Sequence, residues 1–340
     1  MSKGRYGMKI SIDRKSGLLY VTYFYALATI QIVLVHARMM RVENPKWIVA
    51  MVDFVSAYHM VLFFFIAGVL LSYTEGRHQS LWKWYKGKLV KLISPFIILT
   101  GVAYLPKVLL EPILNNGANF SFAYLLQILF YPRKTIWGHF WFIPVYLVVM
   151  PVCFFLVKAI RKNKFVWTCV ILVTAVLNYF PIDIGWFGIS DICRFSFYTV
   201  LGITVEPFIN RDTVKKVIGS WRFLSVLVAA AGVTGCFNAI NIVLKVHILI
   251  MVVLFLSVSM LLEHYELKWL EKIGNCNLTI YIYSWPIQAV LEILLVSFLS
   301  FDLNATFVIK AIAGLVGPLV LIRIANMLPF VSRLKTYLGI

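Results

Sequence analysis

The sequence predicts an all-α polytopic integral membrane protein, a bundle of about ten transmembrane helices with both termini cytoplasmic. Three observations predict it. Of the 340 residues, 61% are hydrophobic and only 14% charged, with a mean hydropathy of +0.87. Soluble domains carry about 45–50% apolar and about 25% charged residues. The excess runs the whole length, in stretches long enough for a ~30 Å hydrocarbon core. The basic residues gather between those stretches, and mostly in alternate gaps.

The first span, 18–37, has no charged residue from Gly17 to Ala37 and carries His36 near its far end. An ionisable group in such a helix is costly, which makes it a candidate functional residue. Nine further apolar runs follow near 48–72, 92–110, 140–158, 165–181, 194–209, 222–239, 242–262, 275–299 and 305–328. Lipid cannot satisfy open backbone, so each run is expected to be helical. With the N-terminus inside, 22 of the 32 Lys and Arg residues fall in inside segments. That asymmetry sets the orientation.

The expected layout is a basic cytoplasmic N-terminus (1–16), one transmembrane domain (17–330) and a cytoplasmic tail (331–340). The basic N-terminus lacks a short apolar core with a small-residue cleavage site, so the first span is expected to remain as an anchor. One outer segment is long, 111–139. Its NNG is a turn signal, and FAYLLQILFY is too short to span and reads as an interfacial or re-entrant helix.

The net charge of +18 would suggest nucleic acid in a soluble chain. Here the basic residues lie between apolar runs and fit orientation and anionic lipid headgroups instead. Five scattered cysteines, an odd number without a C-x-x-C pair, suggest neither a disulfide framework nor a zinc site. No histidine pair is spaced to hold a metal on one helix face, and no metal is expected. GxSxG, P-loop and GxGxxG patterns with the right flanks are missing as well.

Candidate chemistry gathers at a few places. His36, His59 and His139 fall in the membrane or at its outer boundary. An imidazole can take a proton from a hydroxyl and return it. Each is also a natural hydrogen-bonding partner between helices. Lys83, Lys86, Lys88 and Lys91 follow the second span, among Trp82, Trp84 and Tyr85. Lys88 and Lys91 share a helix face, expected just inside the membrane. They read either as a snorkelling headgroup belt or as a clamp for the phosphates of a cytosolic donor. Trp141 fits an aromatic belt, and Arg194, with Asp191 nearby, is placed to face an acceptor. Glu292 is expected to pair with Lys310 or Arg323, since all three lie in the last two spans. His247 has no assigned role.

These features together resemble membrane acyltransferase family 3, the ten-helix O-acyltransferases of bacterial surface glycans. The likeness rests on LVHA (His36) closing the first span, HMVLFFFIAGVLLSY at 59–73, the pair Lys88 and Lys91 ahead of Pro95, GHFWFIPVYL at 138–147 and YIYSWPIQ at 281–288, which contains Trp285. The resemblance implies transfer of an acetyl or other short acyl group from cytoplasmic acyl-CoA to a sugar hydroxyl. The protein would sit in the cytoplasmic membrane, with a glycan or glycolipid acceptor and no nucleic acid. His36 would be the essential histidine. Lys88 and Lys91, with Lys86 beside them, would engage the donor. His59, His139, Trp141, Arg194 and Trp285 would form or support the acceptor site. The chain departs from the family in two ways. Tyr25 stands where the family usually has an arginine, and the cytoplasmic pair is lysine, which gives up bidentate phosphate geometry. A glycan transporter or flippase, or a non-catalytic member of a polysaccharide-assembly complex, are the competing readings.

Overall fold

A computed structural model describes residues 18–74, 80–109, 138–237 and 239–340, together with residues 121, 123, 127, 130, 131 and 133. The basic N-terminus, the NNG turn and most of the expected interfacial helix lie outside the described residues. Every described element is helical; there is no strand among the described residues. The helices are α1 (Leu19–Ala37), α2 (Lys46–Ser56), α3 (His59–Thr74), α4 (Leu81–Leu109), α5 (Phe142–Lys162), α6 (Lys164–Tyr179) and α7 (Ile189–Ile209). They continue as α8 (Asp212–Ile218), α9 (Trp221–Cys236), α10 (Asn241–Leu262), α11 (Lys268–Asn275), α12 (Asn277–Glu292), α13 (Leu303–Met327) and α14 (Pro329–Leu338).

Seven helical segments are long and apolar enough to cross a membrane, with α2 and α3 counted as one. The pair α8–α9, bent by 54°, makes an eighth if it is one span. The expected spans 92–110 and 165–181 correspond to α4 and to the 16-residue α6. The helix α6 turns Phe165, Leu172, Val173 and Val176 outward. Such a surface suits lipid and would be a liability in water.

The chain packs as two compact units. One comprises residues 18–67 and 205–324, the other 68–204 and 325–340. In the first unit α1 is the central helix. Tyr20, Val21, Tyr23, Phe24, Ala26 and Ala28 on it are fully buried, and it packs against α10, α11 and α12. Small residues let helix backbones approach closely where no hydrophobic drive toward water exists. Gly274 of α11 shows this: a Cβ there would run into the carbonyl oxygen of Thr22. One cluster around α1 joins Tyr23, Ala26 and Val33 to Leu270, Ile273 and Ile280. Another, around its C-terminal end, joins Ala37 and Met39 to Ile48, Val52 and Phe307.

The helix α1 has no side-chain cap of its own. Its Tyr20 N–H, one of the orphan donors of the first turn, donates instead to the Glu263 carboxylate at 2.5 Å. A carboxylate at this end also complements the helix dipole.

In the second unit α4 runs antiparallel to α5. The Trp84 ring meets Phe154 at 5.2 Å, and Phe96 meets Phe140 at 5.8 Å. The expected C-terminal tail is largely α14, which packs on α4. Gly68 of α3 lies against α7 so tightly that a Cβ would collide with the Thr199 carbonyl.

Candidate active site

His36 occupies the last turn of α1 and is half-buried. His59 is the first residue of α3, after a two-residue break from α2 at 57–58. His59 Nδ1 lies 3.3 Å from the Val55 oxygen and 3.2 Å from the Ser56 oxygen. Carbonyls only accept, so Nδ1 carries the proton and Nε2 is left as the acceptor nitrogen.

The helix α12 brings YIYSWPIQ to the same neighbourhood. Gln288 is fully buried, and its Nε2 donates to the Val33 carbonyl at 3.0 Å and to the Lys310 carbonyl at 3.2 Å. Val33 lies one turn before His36. Trp285, on α12, is half-buried.

Below Gln288 on the same helix, Glu292 meets Lys310 of α13 at 2.5 Å, with side chains 3% and 1% exposed. Of the two partners open to Glu292 in the sequence, Lys310 is the one it takes. The second carboxylate oxygen accepts from Met40 N at 2.7 Å and Arg41 N at 2.9 Å. Lys310 also donates to the Arg38 carbonyl at 2.9 Å. Each charge inside a membrane helix costs about 2.5–3.5 kcal/mol on insertion scales, so pairing is expected.

His247 is explained by packing. It is 1% exposed, its Nδ1 lies 2.9 Å from Thr234 Oγ1, and its ring meets Phe54 edge-on at 5.3 Å.

The other sequence-predicted residues lie in the second unit. Lys88 donates to the Tyr146 hydroxyl at 3.1 Å, and its ammonium sits over the Trp84 ring at 4.9 Å and the Tyr146 ring at 5.5 Å. Tyr85 Oη donates to the Leu147 carbonyl at 2.6 Å. Lys91 is half-buried and within reach of the Lys88 charge, whereas Lys86 is exposed.

Tyr146 is the fifth residue of the 21-residue α5. It lies ~24 Å of helix axis from the basic end at Lys162, at 1.5 Å per residue. Lys88 therefore stands alongside the apolar body of α5, not beyond its basic end. The reason is that α4 starts at Leu81, well before the apolar run, and carries its lysines in against α5.

His139 is buried in a short 3-10 turn, Gly138–Trp141, ahead of α5. Trp141 lies under the Arg133 guanidinium at 4.3 Å and beside Phe195 at 5.5 Å. Arg133, from the outer segment, makes a bidentate pair with buried Asp191, at 2.6 and 2.8 Å. Arg194 exposes its side chain, and its carbonyl accepts from Asn178 at 2.5 Å. Asp191 thus serves Arg133. That pairing joins residues 58 positions apart, and no sequence pattern announced it.

Sequence reasoning also missed Gln288, Glu263 and the anchoring of the chain after α1. A glutamine inside an apolar run was the available signal for the first. Among the described residues, no three His, Cys, Asp or Glu side chains lie together in a way that could hold a metal ion.

The sequence profile of an acyltransferase domain family matches residues 18–323, nearly the whole chain. The chain belongs to membrane acyltransferase family 3. It is an acyltransferase, and its long apolar helices make it a multi-pass membrane protein. No curated protein and no solved structure matches it.

Tyr25 packs its ring on Phe63 at 6.0 Å, and its carbonyl accepts from Thr29 at 2.7 Å.

Proposed function

We propose that this family 3 acyltransferase moves an acetyl or other short acyl group from cytoplasmic acyl-CoA to a hydroxyl of a surface or exported glycan. It would act in the cytoplasmic membrane with both termini inside. The observation that carries the reading is His36, an imidazole held in the last turn of the helix at the centre of its unit.

His36 takes the proton of the acceptor hydroxyl as the oxygen attacks the thioester carbonyl. The tetrahedral oxyanion then collapses, the C–S bond breaks, and CoA leaves as a thiolate that receives the proton from the imidazolium. His59, with Nδ1 spent on carbonyls, orders the surroundings of His36. Lys88 and Lys91 supply point charges for the donor's phosphates. Arg133 and Trp141 offer a charged, flat surface of the kind that suits a sugar ring.

The test is mass analysis of the surface glycan of cells with the gene, without it, and with His36→Ala. An acyl mass increment present only with the wild-type gene is expected. The same increment with His36→Ala would remove the mechanism.

A further inference from the structure

The Glu292–Lys310 pair does more than neutralise two charges. Its four hydrogen bonds leave no part of it idle. One carboxylate oxygen holds the ammonium, the other accepts from Met40 N and Arg41 N, and the ammonium also donates to the Arg38 carbonyl. All three tethered backbone groups lie within five residues after His36. Helix α1 ends at Ala37, with Arg38 already extended (φ −49°, ψ 140°). Glu292 is also the last α-helical residue before a π-helical turn, Ile293–Phe298, a local distortion often found at functional sites.

An ion pair kept only for stability would be replaceable by apolar groups of similar size, usually at little loss. The polarity here is specific instead. An acceptor faces two N–H groups, and a donor faces a carbonyl.

We infer that Glu292 and Lys310 are positioning residues, a clasp that fixes the chain leaving α1 and thereby the direction of the His36 ring. This rests on the reading of His36 as the proton acceptor. Removing the clasp lets the last turn of α1 shift, and a displacement of about 1 Å at a reacting group costs on the order of 100-fold in rate.

The test uses the full chain and two double variants. Glu292→Gln with Lys310→Met removes both charges but keeps an oxygen acceptor for Met40 and Arg41. Glu292→Lys with Lys310→Glu keeps an ion pair but reverses donor and acceptor. Two readouts are taken: kcat and KM for acyl-CoA, and the rate at which diethyl pyrocarbonate modifies His36, followed by peptide mass spectrometry with exposed His264 as internal reference.

The reversed pair is expected to lose ~100-fold in kcat with KM little changed. It should also change the His36 modification rate severalfold relative to His264. The Gln/Met variant, which keeps the acceptor for Met40 and Arg41 but loses the donor to the Arg38 carbonyl, should fall between the reversed pair and wild type in both. A reversed pair with wild-type kcat and wild-type His36 modification would overturn the clasp. If the reversed pair does not accumulate folded, Glu292→Leu with Lys310→Met is read the same way. If His36 has no part in the reaction, the modification rates still decide whether the clasp sets its position.

Discussion

Two regions of the molecule place their polar groups by different means. The helix that carries His36, α1, is held by charge at both ends. Glu263 takes the Tyr20 N–H at its start, and the Glu292–Lys310 pair ties the chain just past its end. Lys88 of α4 is held by aromatic rings. Lys88 lies between Trp84 and Tyr146 with one hydroxyl contact.

Hydrogen bonds to ionised groups are directional and short, and they fix position. Cation–π contacts are softer, worth about 0.5–2 kcal/mol, and tolerate movement of the ammonium. The difference matches what the proposed role of each would demand. A proton acceptor must meet one hydrogen at one angle. A phosphate-binding ammonium acts as a point charge and needs only to be near.

The comparison can be broken at several points. The largest effect is expected at His36. His36→Ala should lower turnover by about 10²–10⁴-fold, the span of general-base contributions, while CoA still protects the purified protein against heat. Wild-type steady-state turnover would deny the histidine its role.

Lys88→Met with Lys91→Met should instead raise KM for acyl-CoA by roughly 10- to 100-fold and leave kcat nearly intact, since charge-assisted hydrogen bonds contribute about 1.5–3 kcal/mol. An unchanged KM would assign the lysines to lipid headgroups.

Gly274→Ala should destabilise the unit built on α1 by about 1–3 kcal/mol, the usual cost of overpacking. Loss of thermal stability on size-exclusion would show it, and an undiminished melting point would contradict the tight crossing at Thr22.

The smallest effect is expected at Tyr146→Phe, which deletes one hydroxyl but keeps the ring over Lys88. A two- to threefold rise in KM corresponds to about 0.5 kcal/mol, the low end for a neutral hydrogen bond.

Much of this was legible in the sequence, because membrane helices announce themselves by length and apolarity alone. Among the described residues seven of the ten expected spans, or eight with the bent pair α8–α9, are helices long and apolar enough to cross a membrane, and Glu292 pairs with Lys310 because a buried charge has few places to go. What stayed hidden depends on distant partners or local breaks. Glu263 and Tyr20 are 243 residues apart, and Glu292 and Met40 are 252 apart. No periodicity relates them. The break at 57–58, which makes His59 the head of a helix, falls inside one unbroken apolar run and leaves no glycine or proline to mark it.

Lys88 shows the same limit: its charge precedes an apolar run, yet its ammonium meets the Tyr146 hydroxyl on α5. Long basic side chains blur the boundary that hydropathy draws.

The most direct test of the division of labour is a single-turnover measurement. Purified His36→Ala protein is loaded with saturating labelled acetyl-CoA, mixed with glycan acceptor, and followed for label in the glycan. The account predicts a chain that binds CoA, shown by thermal protection, yet transfers no label on the wild-type timescale. Label appearing at the wild-type rate would contradict it.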